Sequence, residues 1–204
     1  GVIFSPTQQF NMASHTYGGR MPFVIIDRSV DSHEADMVLL DNVSAACELT
    51  KHLIDNGYRK LAGLFGDAST TGQDRHRGFL QALQEHHLNP VGVHFVSPRI
   101  KQGYDATLAL LEQADRPDAI FTSNSLLTAG AFQAMRDRKI SVPNEVAIVG
   151  FDETTWDALV DPPITVMAQP TEDIGRIATE LLFRRIQEPT RSPETVTLKG
   201  SLIA

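Results

Sequence analysis

Apolar residues along this chain fall into two alternating patterns. Short unbroken runs rich in β-branched residues, such as Val146-Ala147-Ile148-Val149, are too brief for helices. They read as strands buried on both faces of a parallel sheet. Further strands are read at GVIFS (1–5), FVIID (23–27), MVLLD (37–41) and residues 60–65, 94–96, 118–121 and 164–168. Between them lie segments of helical spacing. Val43, Ala46, Cys47, Thr50, Leu53 and Ile54 form one stripe, stopped by Asn56-Gly57. Further helices are predicted over about 73–87, 102–112 (Tyr104, Leu108 and Leu111 on one face) and 125–138. A last one carries Ile174, Ile177, Ala178, Leu181, Leu182 and Ile186, with Thr171 as N-cap and Glu172 and Asp173 favouring its positive end. The tail TVTLKGSLIA is strand-like.

Strand and helix alternate from residue 37 to 149, which predicts βαβ units in a mostly parallel, doubly wound α/β sheet. Open sheets of this kind bind ligands outside the carboxyl ends of their strands. Polar residues close several strands there: Ser5, Asp27, Asp41 and, two past Gly150, Asp152. The turn between 66 and 72 (GDASTTG) opens a helix. Ser69 and Thr71 there suit either a turn or an anion contact. It is not a Walker loop, since no Gly-Lys-Ser/Thr ends it. Trp156, the only tryptophan, suits stacking on a sugar ring or packing against the crossover region.

Composition narrows the function classes. Twenty-five acidic against 18 basic residues leave a formal charge of −7, which argues against this segment gripping nucleic acid by itself. No apolar run approaches the roughly 20 residues of a membrane span, and the amino end lacks a signal-peptide pattern. The single cysteine, Cys47, precludes an internal disulfide framework and suits a reducing cytoplasm. It lies on the apolar helix stripe, so packing is expected rather than reactivity. GxSxG, HExxH and paired CxxC motifs are all missing, and His86-His87 are adjacent rather than four apart on a helix. No enzyme, cofactor or metal site is expected. The chain enters directly on a strand without an initiating methionine, so a longer parent protein is expected.

Several stretches in order resemble the effector-binding domain of the lactose-repressor (LacI/GalR) family of bacterial transcription regulators. They are GVIFSP, PFVIIDR, HLIDNGYRKLAGLFG, DRHRGFLQAL, DAIFTSNSLLTAGAFQAM, VPNEVAIVGFDE and PPITVMAQPTEDIGRIATELL, spread over essentially the whole chain. The resemblance implies a two-lobe periplasmic-binding-protein-like α/β fold with parallel doubly wound sheets and an effector held between the lobes. It implies an incomplete amino-terminal lobe (1–41 and 171–193), a carboxyl-terminal lobe (42–168 and 194–204) and a DNA-binding headpiece not present in this chain. It further implies operator DNA as the partner of that headpiece, a cytoplasmic location, a homodimer when intact and no membrane partner.

Matched motif by motif, the resemblance points to Asp27, Arg75, Asn124 and Asp152 as effector contacts, with Thr71 and Trp156 added from the chemistry above. These side chains suit a sugar, sugar phosphate or nucleoside: carboxylates accept from hydroxyls, Asn124 donates and accepts, and Arg75 offers a fork of donors. Each also has a plainer role. Asp27 suits a turn cap, Arg75 a solvated helix face (with Arg77 the other contact) and Asn124 the N-cap of the following helix. Asn124-Ser125 departs from the family's usual Asn-Asp, and Tyr58 from the histidine of its Gly-His-Arg turn. The alternative function is a periplasmic sugar-binding protein of a transport system, which shares the fold.

Overall fold

Strand-forming runs become two sheets in the computed structural model, which describes residues 1–6, 21–30, 35–67 and 69–204. Gly18-Gly19, positions 31–34 of the charged loop and Ala68 lie outside the described residues. The strands are β1 (Val2–Phe4), β2 (Phe23–Ile26), β3 (Asp36–Leu40), β4 (Leu61–Gly66), β5 (Gly92–Val96), β6 (Ala119–Thr122), β7 (Ala147–Phe151), β8 (Thr165–Ala168), β9 (Thr195–Leu198) and β10 (Ser201–Ile203). The helices are α1 (Asn42–Asp55), α2 (Thr70–Glu85), α3 (Ile100–Leu111), α4 (Ser125–Asp137) and α5 (Thr171–Gln187).

The chain divides into two compact units. The first comprises Gly1–Asp41, Ser69–Thr71 and Pro170–Gly200. Its sheet runs β1-β2-β3-β9, every pairing parallel, as the strand-terminating Ser5, Asp27 and Asp41 require if they are to share an edge. Ile174, Ala178 and Leu181 of α5 pack on Val24 and Val38. At the start of β3, Asp36 is fully buried between two arginines: Arg185 grips it with Nε and Nη2, each at 3.0 Å, and Arg191 Nη2 lies 2.7 Å away. The backbone N–H of Glu194 donates to the same carboxylate at 2.9 Å. This knot ties the end of α5 and the segment before β9 to the sheet.

The second unit comprises Asn42–Ala68, Gly72–Gln169 and Ser201–Ala204. Its order is β10-β8-β7-β6-β4-β5, parallel except for the antiparallel β10. Alternation along each strand serves two faces. Leu64, Ile120, Ile148 and Val166 pack with Leu127, Ala131 and Met135 of α4 on one face. On the other, Phe65, Phe121 and Phe151 line up, with Phe79 of α2 at 5.6 Å from Phe65 and 5.4 Å from Phe121. All four phenylalanines are fully buried, each contributing about 1.5–3 kcal/mol.

Helices α3 and α4 approach closely at two glycines. A Cβ on Gly130 would lie 2.1 Å from the Ile100 carbonyl oxygen, and one on Gly103 would lie 2.8 Å from that of Leu127. This contact corrects the predicted face of α3. Gly103, Ala106, Thr107 and Leu110 are buried, while Tyr104, Leu108 and Leu111 are only half-buried, because small residues set the seam. Three boundaries also differ from expectation. Helix α2 starts at Thr70, three residues early, so the turn before it is shorter. Pro170 occupies the cap position of α5 with no side-chain cap bond, which makes Thr171 the first helical residue. The tail, expected as one strand-like run, is two strands in different sheets: β9 pairs with β3 and β10 with β8, with Pro170–Gly200 in the first unit and Ser201–Ala204 in the second.

Candidate functional site

Parallel registry of β4, β6 and β7 sets three strand ends side by side in the second unit. Leu64 lies opposite Thr122, and Thr122 opposite Gly150. The residues that follow each strand therefore converge, and Arg75 of α2 reaches into them. Its side chain is 4% exposed, far from the solvated-face alternative. Nε donates to Asn42 Oδ1 at 2.7 Å, and Nη1 donates to the Ser123 carbonyl oxygen at 2.6 Å. Nη1 also lies 3.9 Å from Asp152 Oδ1, and the guanidinium carbon sits 4.0 Å above the centre of the Phe151 ring. A desolvated cation on an aromatic face gains about 2 kcal/mol. Arg77, two residues on and so on the opposite side of α2, pairs with Asp74 at 2.6 Å and is exposed.

Asp152 adopts a left-handed backbone, φ 72°, where the chain turns off β7. Its backbone N–H donates to the Met167 carbonyl oxygen at 3.0 Å. A non-glycine residue held there costs about 1–3 kcal/mol, and such cost is commonly retained where a side chain must be aimed. Gln169 Nε2 donates to Asp152 Oδ1 at 2.6 Å. Asn124 takes the N-cap of α4, its Oδ1 accepting from the Leu127 N–H at 3.0 Å. Behind it Ser123 is 1% exposed, and its Oγ accepts from the Gly66 N–H at 3.0 Å and so links β6 to β4.

Three further expected residues have surroundings of their own. Asp27, in the first unit, repeats the left-handed turn with φ 68° at the end of β2. Its Oδ2 accepts from Ser5 Oγ at 3.0 Å and pairs with Arg28 Nε at 3.6 Å, its side chain 37% exposed. Thr71 lies in the first turn of α2, 9% exposed, and its Oγ1 donates to Ser69 Oγ at 3.2 Å. Trp156 packs on Phe132, ring centres 6.1 Å apart, against the core cluster of the α4 face. That surrounding matches its packing alternative.

Sequence reasoning missed Asn42, Ser123, Phe151 and Gln169, which orient Arg75 and Asp152. Each adjoins a residue that was singled out or ends a predicted strand. Nothing in linear spacing says that residues 42, 75, 123 and 152 meet. Chemistry elsewhere in the second unit is quieter. Burial pushes the Cys47 thiol above its ordinary range, with the Lys51 ammonium opposing. A groove of about 580 Å³ runs beside α1, lined by Cys47, Lys51, His52, Gln81 and Leu202 among others, and contains none of the expected residues. Among the described residues no group of His, Cys, Asp and Glu is arranged to hold a metal, and no helix is long and apolar enough to cross a membrane.

Comparison with known proteins places the chain in a family. Residues 50–204 match the family model described as a periplasmic binding protein-like domain. The transcriptional repressor PurR of Histophilus somni is 30% identical over 188 residues, spanning 90% of this chain and 56% of that protein. The ribose operon repressor of Haemophilus influenzae is 30% identical over 189 residues, again 90% of this chain and 56% of the relative. The chain thus spans little more than half the length of these two relatives. Among solved structures, a transcriptional regulator CelR–cellobiose complex superposes with a TM-score of 0.92 at 27% identity, covering all of this chain and 64% of that one. The convergent strand ends, the fold and these matches together make the chain a member of the periplasmic binding protein-like domain family, in the form found in lactose-repressor-type regulators.

Proposed function

We propose that this chain is the small-molecule sensing domain of a bacterial DNA-binding transcription regulator. The observation that carries the reading is the Arg75–Asp152 arrangement at the converging strand ends, a desolvated guanidinium and a partly exposed carboxylate held at a fixed separation. Such a pair discriminates by what it leaves unpaired: a ligand lacking the matching group costs about 1–3 kcal/mol. Asn124 and Asp152 contact the effector, with Asp27 and Thr71 as further contacts of the same reading, while Trp156 takes its packing role. The effector is a sugar or sugar derivative, in keeping with the cellobiose and ribose named for the similar proteins. Operator DNA is bound by a headpiece elsewhere in the polypeptide, the intact protein is a cytoplasmic homodimer, and no catalysis is involved.

Effector binding regulates by favouring one arrangement of the protein over another. The change in operator affinity can be no larger than the effector's differential affinity for the two arrangements. A periplasmic sugar-binding protein remains the second reading, since the matched family model carries that description. Repressors matched over 90% of the chain favour the regulator. A thermal-shift screen of sugars and nucleosides tests the site, because a native-state ligand raises the melting temperature. Asp152→Ala and Arg75→Ala are expected to remove the shift given by the best ligand. Full shifts in both variants would refute the assignment.

A further inference from the structure

Resting on that effector reading, we infer that the second unit's site selects uncharged polyhydroxyl ligands and rejects their phosphorylated or carboxylated counterparts. The argument is one of charge and of which atoms remain available. Arg75, the one cation recorded against Asp152 among the described residues, is engaged from several sides. Nε is held by Asn42, Nη1 by the Ser123 carbonyl, one face by Phe151, and its charge is offset by Asp152 at 3.9 Å. It is also the more buried partner, 4% exposed against 30% for the Asp152 side chain. A ligand arriving at this edge therefore meets the carboxylate first, with its counter-charge behind.

Asp152 is only half satisfied. Gln169 and Arg75 both address Oδ1, and among the described residues no hydrogen bond or ion pair reaches Oδ2. An ionised carboxylate accepts and never donates, so Oδ2 calls for a hydroxyl or N–H and repels a second anion. Asn124, at the neighbouring strand end, supplies the complement. Its Oδ1 is committed to the helix cap, which leaves its amide hydrogens as the donors it can offer. One acceptor and one donor on adjacent strand ends match hydroxyl groups, each of which both donates and accepts. A phosphate monoester matches only the donor and brings about −1.5 to −2 of charge against Asp152. The first turn of α2, with Thr70, Thr71 and no acidic residue, is the feature that would draw an anion instead.

Paired probes separate these outcomes on the 204-residue chain. D-ribose, D-glucose, D-fructose and adenosine are each titrated calorimetrically beside their phosphates, esterified at either end of the sugar, and beside inorganic phosphate alone. The expected result is an uncharged tightest binder whose phosphorylated partners bind at least tenfold more weakly. Asp152→Asn, which keeps the shape and removes the charge, is expected to narrow that gap from both sides. A phosphorylated member binding as tightly as its parent overturns the selectivity and leaves the sensing function intact, as does saturable binding of inorganic phosphate. An unchanged gap in Asp152→Asn also overturns it. Silence from every probe overturns the sugar-sensing reading, and this inference with it.

Discussion

In the proposed reading, Asn124 serves two functions through different atoms. Oδ1 caps α4, while the amide hydrogens remain for a ligand. Serine is an equally good cap but has no amide, so Asn124→Ser separates them. Unfolding free energy is expected to stay within about 0.5 kcal/mol by urea titration, since Ser replaces Asn as cap at little cost. Effector binding is expected to weaken by about tenfold, or ~1.4 kcal/mol. Asn124→Ala is expected to lose both, about 1 kcal/mol of stability with the cap. Asp36 illustrates a purely structural residue. Removing it in Asp36→Ala leaves Arg185 and Arg191 facing each other with only Glu194, 3.8 Å from Arg191, as counter-charge, an expected loss of about 3 kcal/mol of unfolding free energy. His76 lies edge-on to Phe65 at 4.9 Å and to Phe95 at 5.0 Å. Burial among these rings lowers its pKa below the ordinary 6.5. The unfolded chain then binds the extra proton first as pH falls, so stability is full above about 6.5 and is lost through the window down to the lowered folded value. Urea midpoints measured from pH 8 to pH 5 are expected to fall in the native protein and to fall less in His76→Phe.

Among the elements, the α3–α4 seam shows how packing overrides a hydrophobic stripe. The spacing of Tyr104, Leu108 and Leu111 correctly announces a helix, but the buried face is rotated towards Gly103 and Leu110. Glycine carries no hydrophobic signal, so a seam built on Gly103 and Gly130 is silent in the apolar pattern. Its necessity is testable. In Gly130→Ala the new methyl meets backbone, not a flexible side-chain end, and α3 must move outward. An expected loss of about 1–3 kcal/mol follows from overpacking, read as a lower urea midpoint with an unchanged slope. The tail teaches a related lesson. TVTLKGSLIA reads as one strand-like run, yet Lys199-Gly200 divides it between β3 and β8 as partners. Local propensity sets that both pieces are extended. Which edge each one meets depends on sheets assembled from distant segments.

For the whole molecule, the acidic balance gives the simplest expectation. A chain with formal charge −7 neutralises few phosphates, and DNA affinity at physiological salt rests on that neutralisation. No specific mobility shift of DNA is expected from this chain alone, and one that survives competitor DNA would contradict the assignment of DNA binding to a separate headpiece. Much of the architecture was legible beforehand. Buried β-branched runs alternating with amphipathic helices allow little other than parallel α/β sheets, because right-handed crossovers prune the remaining topologies. The strand ends were legible too, since Asp27 and Asp152 each close an apolar run with a charge that a sheet interior would not tolerate. What sequence alone determined was therefore the layer pattern and the edge at which chemistry gathers, both consequences of local periodicity. Only the tertiary structure decided the split of the tail between two sheets, the seam of glycines and the partners of Arg75. Asn42, Ser123 and Asp152 come from three separate stretches, and their meeting on one guanidinium depends on strand register and helix packing that no local pattern encodes.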